Sequence, residues 1–220
     1  MTSPRVLILA NGPWNDADTV RALRRSADVC LAADGAWAKA RAAGVPVDAV
    51  IGDLDSLSAD ERADLDASGV TKIEFSRAKD WTDLELAVDH ALRANPSGIV
   101  IYGALGGRID HTLTNLHLLE KGLATNVPIE CVTDSESIHL VDGSFVLDDA
   151  QAGDTVSLVP VTESVRLSTQ GLEYELHDED LLRAASRGVS NVIRNQPVRI
   201  LVAHGRLVVI HARAGREATA

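Results

Sequence analysis

Val29–Ser56 reads VCLAADGAWAKARAAGVPVDAVIGDLDS, and its grammar decides the fold. A short apolar run, Val29–Ala33, gives way at Asp34-Gly35 to an alanine-rich helical segment, Gly35–Ala43, before a second apolar run at Asp48–Ile51. Short continuous apolar runs separated by helical segments mark parallel strands buried on both faces. The alternation extends outward in both directions. Strands are predicted at Arg5–Ala10, Lys72–Phe75, Ile99–Tyr102 and Ile129–Val132, with helices at Asp16–Arg25, Ala59–Ala67, Asp83–Ala94 and His111–Lys121. The fold class is α/β, with right-handed crossovers.

Near Thr133 the grammar changes. SIHLVDGSFVLDDAQAGDTVSLVPV reads as short strands joined by Asp-Gly and Ala-Gly-Asp turns. PVRILVAHGRLVVIHA reads as a hairpin around His204-Gly205, DEDLLRAASRG as one short helix ending at Gly188, and ARAGREATA as a frayed tail. The expected organisation is a Rossmann-like parallel-sheet domain over residues 1–132 and a small antiparallel β-sandwich domain over 133–220.

Hydrophobic residues make up 45% of the 220, enough for a sizeable core, and aromatics only 3%, so that core rests on Val, Leu, Ile and Ala. The formal net charge of -11 argues against a nucleic-acid or anionic-membrane partner, because no excess of basic charge drives phosphate contact. VLILA near the start is too short for a signal peptide and no later run is long enough to span a bilayer, so a cytoplasmic protein is expected. Cys30 and Cys131 lie in apolar stretches and read as buried, reduced thiols, with a disulfide left open.

In open parallel sheets, ligands bind beyond the carboxyl ends of the strands. The residues capable of chemistry fall there repeatedly: Asn11-Gly12, Asp34-Gly35, Gly52–Ser56, Lys79–Asp83 and Gly103–Asp110. Asp53 and Asp55 are two apart, a spacing that points both carboxylates to one side of an extended segment and suits Mg²⁺. A polar turn explains the same composition. Thr82-Asp83-Leu84-Glu85 fits a capping box with Glu85 reaching back, yet a helix start is also where phosphates bind. In Gly103–His111, glycines permit close approach and Arg108 can clamp phosphate, although the spacing matches neither GxGxxG nor the Walker loop. His111 reads as a helix-start hydrogen-bonding residue or a ligand contact, and Asn115 lies one turn on. The remaining histidines show no metal-ligand spacing, and Trp14, Trp37 and Trp81 read as packing residues near these loops.

Together these segments resemble the thiamine pyrophosphokinase family. The resemblance rests on ADGA (Ala33–Ala36), GDLDS (Gly52–Ser56), KDWTDLELA (Lys79–Ala87), GALGGRIDHTLTNLHLL (Gly103–Leu119), GLEYEL (Gly171–Leu176) and SRGVSN (Ser186–Asn191). It implies transfer of pyrophosphate from ATP to thiamine, with Mg²⁺, in a homodimer. By the same resemblance Asp53, Asp55 and Asp83 hold the metal, while Asp55, Thr82, Asp83, Arg108 and Asp110 carry the chemistry. Asn11, Asp34, Lys79, Asp80, Arg108, Asp110, His111 and Asn115 arrange the nucleotide. Asp83, Ser190 and Asn191 contact thiamine. The chain departs from animal members in lacking a tryptophan in the strand Arg199–Ala203. Another Mg²⁺-dependent phosphotransferase or nucleotide hydrolase on this scaffold, or a thiamine or nucleotide sensor without turnover, remain the alternatives.

Overall fold

The structure, a computed structural model, describes residues 3–76 and 80–215. Its contacts divide the chain into two units, Met1–Thr133 and Asp134–Ala220. In the first, six strands alternate with helices: β1 (Arg5–Leu9), α1 (Ala17–Arg25), β2 (Val29–Ala33), α2 (Ala36–Ala42), β3 (Ala49–Gly52), α3 (Ala59–Ser68), β4 (Thr71–Glu74), α4 (Asp83–Arg93), β5 (Gly98–Tyr102), α5 (Ile109–His117), α6 (Glu120–Thr125) and β6 (Ile129–Val132). All pairings are parallel, in the order β6-β5-β1-β2-β3-β4. The central strands are buried along almost their whole length, which is why they read as unbroken apolar runs. From β1 the chain winds out to β4 and returns to the other side of β1 as β5. That reversal between β1 and β5 is the topological switch point, where a crevice opens at the strand ends.

Helix starts follow the sequence closely. Asp16 caps α1, and Ser58 and Glu61 form a full capping box on α3. At α4 only half of the expected box is present. Thr82 Oγ1 accepts from Glu85 N at 3.2 Å, but the Glu85 carboxylate turns instead to Lys121 on α6, 3.1 Å away. Lys121 also reaches Asp89 at 2.7 Å, so this charge pairing ties α6 to α4. The single helix expected over His111–Lys121 is two, broken at Leu118-Leu119, where both leucines turn into the core.

The second unit is two antiparallel sheets of four strands around one aliphatic core. Its elements are β7 (Glu136–Val141), β8 (Ser144–Leu147), β9 (Thr155–Pro160), β10 (Ser164–Gln170), β11 (Glu179–Leu182), β12 (Asn191–Val192), β13 (Val198–His204) and β14 (Leu207–Ala212). One sheet runs β12-β9-β14-β7, the other β11-β10-β13-β8.

Two segments of this unit depart from the sequence reading. DEDLLRAASRG is not a helix: Glu179–Leu182 pairs with Ser164–Leu167 and buries Leu181 in the sandwich core, so tertiary packing overrides helical composition. The segment around His204-Gly205 is not a hairpin either. β13 and β14 belong to opposite sheets, with Val198, Ile200 and Val202 facing Leu207 and Val209 across the core. Gly205, at φ +87, makes the crossing: a Cβ there would sit 2.5 Å from Ser164 O. Cys30 and Cys131 are free and buried. No helix among the described residues is long and apolar enough to cross a membrane.

Candidate active site

A cleft of about 710 Å³ opens at the β1/β5 switch point. Its floor is made by two loops in direct contact, since Gly12 N donates to Gly103 O at 2.8 Å. A Cβ on Gly12 would collide with that same carbonyl, so the pairing of the two loops requires glycine. Asn11, Asp34, Thr82, Asp83, Arg108, His111 and Asn115 all line the cleft.

Each is placed by a definite local cause. Asp34 ends β2 with φ +43, and its N–H is held by Ile51 O at 2.8 Å. Asp83 is the first residue of α4, beside the free N–H groups of the helix start. Asn115 is buried on α5 and donates Nδ2 to Ala104 O at 2.7 Å, fixing the glycine loop to its own helix. Arg108 is exposed and grips Asp110 through two bonds, at 3.1 and 2.5 Å. That grip, with the His111 N–H, draws the Asp110 carboxyl down to about 2, so it stays ionised at any working pH. Asp110 thus stands behind Arg108 rather than on the cleft wall.

The carboxylates of Asp34, Asp53 and Asp83 converge, each offering an oxygen within 4.8 Å of the others. Asp34 is only 8% exposed, and its Oδ1 is buried with no hydrogen-bond partner. A buried carboxyl oxygen left without a partner is costly and points to a cation. Three carboxylate oxygens within 4.8 Å of one another are the hard donor set that Mg²⁺ takes, and Asp34, Asp53 and Asp83 would hold it. Gly52 makes the approach possible: at φ +153, a Cβ would lie 2.8 Å from Asp83 Oδ1.

Asp55 does not join this group. Leu54 has φ +59, so Asp53 and Asp55 are not on an extended segment and the expected same-side geometry is lost. Asp55 instead donates its N–H to Asp53 Oδ1 at 3.2 Å. Asp34, expected on the nucleotide, takes the third place. Asp80 is exposed next to Trp81 and outside the cleft lining, and Lys79 lies outside the described residues.

Lys39 was not anticipated. Its Nζ donates to Asn11 O and Gly12 O, both at 2.8 Å, from the cleft wall, and burial pulls its pKa down. Its signal in the sequence is a lysine one turn into the alanine-rich helix AWAKARA, just after Asp34.

Ser190 and Asn191 lie in the second unit, Ser190 exposed at φ +56. The Asn191 side chain is already committed: Oδ1 accepts from Tyr174 N at 3.1 Å and Nδ2 donates to Tyr174 O at 2.8 Å. Its visible work is to hold GLEYEL in place.

Comparison with known proteins agrees in both units. Residues 20–131 match the family model described as thiamin pyrophosphokinase, catalytic domain, and residues 145–207 that described as thiamin pyrophosphokinase, vitamin B1 binding domain. Thiamine pyrophosphokinase of Bacillus subtilis is 29% identical over 208 residues, spanning 93% of this chain and 97% of that protein. Thiamine pyrophosphokinase 1 of rice is 28% identical over 70% of this chain and 61% of its own length. The crystal structure of the Bacillus subtilis enzyme superposes with a TM-score of 0.85 at 25% identity, covering 96% of this chain and 99% of the other. That of yeast thiamin pyrophosphokinase shares the fold at a TM-score of 0.82 and 15% identity, covering 96% and 87%. The matched segments include the loops that carry Asp34, Asp53, Asp83 and Arg108, and on that ground the chain belongs to the thiamin pyrophosphokinase family.

Proposed function

We propose that this chain transfers a pyrophosphoryl group from ATP to the hydroxyethyl oxygen of thiamine, yielding thiamine diphosphate and AMP. The observation that carries the reading is the convergence of Asp34, Asp53 and Asp83, with an unpartnered buried oxygen on Asp34, beside a glycine-floored cleft. Mg²⁺ held by those three would neutralise phosphate oxygens as charge shifts during transfer.

The residues of the chain supply the rest. The start of α4, at Thr82 and Asp83, presents backbone N–H groups to a phosphate. Arg108 turns its guanidinium from Asp110 toward the transferring group, and Asp110 keeps it poised when the cleft is empty. Lys39 uses two of its three donors on the Asn11–Gly12 loop and adds positive charge at the cleft wall. Asn11 and His111 flank the nucleotide on the rim, and Asn115 holds the glycine loop for it. In the reaction the thiamine oxygen bonds to the β-phosphorus as its proton passes to water. The bond from the β-phosphorus to the oxygen bridging it to the α-phosphorus breaks, and AMP leaves with the electron pair. Such transfers depend on alignment and charge neutralisation more than on a strong base.

The same reading places thiamine beside Ser190 and GLEYEL, in a cytoplasmic homodimer. Val146, Leu182 and Leu201, exposed on the outward face of one sheet, are apolar groups that a second copy would cover, and two reduced buried cysteines suit a reducing compartment. The test is AMP release from ATP with thiamine and Mg²⁺ omitted in turn. Release that needs both supports the transfer. ATP loss without thiamine would identify a hydrolase, and binding without AMP release a sensor.

A further inference from the structure

Between Asp53 and Asp55, Leu54 adopts a left-handed backbone that a residue with a Cβ enters only under constraint. Two features impose it. The Leu54 side chain is buried in the core, and its carbonyl accepts Nη2 of Arg62, which reaches back from α3; Leu57 N adds a weak contact at 3.4 Å. Arg62 can reach because α3 is fixed at its start: Ser58 N donates to Glu61 Oε2 at 2.8 Å, Glu61 N to Ser58 Oγ at 3.2 Å, and Leu65 anchors the helix in the core. Arg62 is not among the residues that line the cleft, and its bond is to the Leu54 backbone.

We propose that Arg62 is a positioning residue for metal binding. Its charged bond to the Leu54 carbonyl holds the left-handed conformation, and that conformation turns Asp53 toward Asp34 and Asp83 and Asp55 away. Without the guanidinium, Leu54 relaxes toward extended backbone, in which Asp53 and Asp55 share a side and the three-carboxylate group loosens. The inference rests on the reading of Asp34, Asp53 and Asp83 as a metal site.

The test is Mn²⁺ affinity of the purified full chain, read from the free-ion electron paramagnetic resonance signal during titration. Four variants are compared with the unaltered chain. Residues that orient metal ligands typically change affinity by 10- to 100-fold, so Arg62→Ala is expected to weaken Mn²⁺ binding by about tenfold. Arg62→Lys, which keeps a cationic donor with poorer reach, falls between. Arg41→Ala removes the pairing of Arg41 on α2 with Asp64 on α3, loosening the same helix without touching the loop, and keeps full affinity. Asp53→Ala loses most of the binding. If Arg62→Ala binds Mn²⁺ as tightly as Arg41→Ala does, the proposal is overturned while the metal site stands. If Asp53→Ala binds undiminished, the metal reading itself has failed. Should Arg62→Ala not fold by circular dichroism, Arg62→Lys decides alone, and affinity equal to that of Arg41→Ala overturns the proposal.

Discussion

Gly52→Ala separates backbone strain from disruption of the carboxylate group. The new Cβ would lie 2.8 Å from Asp83 Oδ1 and 3.0 Å from Asp34 Cβ. Ordinary contact begins near 3.4 Å, so the Asp83 oxygen must shift by about 0.6 Å from its place among the three carboxylates. A shift on that scale among reacting or ligating groups costs about 10- to 100-fold in rate. The φ of +153 adds strain of about 1–3 kcal/mol, and each kcal/mol lowers the melting midpoint of a chain this size by about 2–4 °C. Gly69→Ala is the control, because Gly69 also has positive φ, +74, but nothing lies within 4 Å of its added Cβ. Both variants are expected to melt earlier, and only Gly52→Ala to lose AMP release at saturating Mg²⁺. Equal activity of the two, measured below their melting transitions, would refute the claim that Gly52 is there to let the carboxylates close.

Three further outcomes are expected. Arg108→Ala should lower kcat/KM for ATP by about tenfold and leave the melting midpoint unchanged, since its pairing with Asp110 is solvent-exposed; steady-state kinetics alongside calorimetry checks both. Asn191→Ala strands the N–H and carbonyl of Tyr174, so stability should fall by about 1–3 kcal/mol and KM for thiamine should rise more than KM for ATP. Asp154 in the sandwich accepts from Gln151 N, Ala214 N and the fully buried His211, at 2.9, 2.8 and 2.8 Å. Burial pushes its carboxyl up, but these donors outweigh burial and hold it below its ordinary 3.8. Its stabilisation is therefore fully present above pH 3.8 and lost as pH falls through the lower folded value. Asp154→Ala strands the N–H groups of Gln151 and Ala214 and should cost about 1–3 kcal/mol at pH 7, with the gap to the unaltered chain narrowing in acid, as followed by denaturant melts.

Much of this molecule is legible along the chain, and the exceptions share a cause. Val29–Ala33 and Ile129–Val132 can be delimited from sequence because buried parallel strands leave unbroken apolar runs between turn residues. His204-Gly205 misleads, since two alternating strands around a glycine look alike whether they pair with each other or with opposite sheets; only distant partners on β10 and β7 decide. Glu179–Leu182 misleads for the same reason, its pairing set by β10 rather than by its own composition. In the site, the loops are legible but the identity of the converging carboxylates is not. Spacing paired Asp53 with Asp55, and one left-handed residue, Leu54, undid the pairing and let Asp34 in. Lys39 and Arg62 act through backbone carbonyls, which leave no motif to read.

Pyrophosphoryl transfer at the Asp34, Asp53 and Asp83 group can be followed by phosphorus NMR of the unaltered chain and Asp34→Asn, each with ATP, thiamine and Mg²⁺. Thiamine diphosphate and AMP are expected in equal amounts with the unaltered chain, and almost none with Asp34→Asn although it folds. Thiamine-dependent ADP in place of AMP, or full turnover by Asp34→Asn, would contradict it.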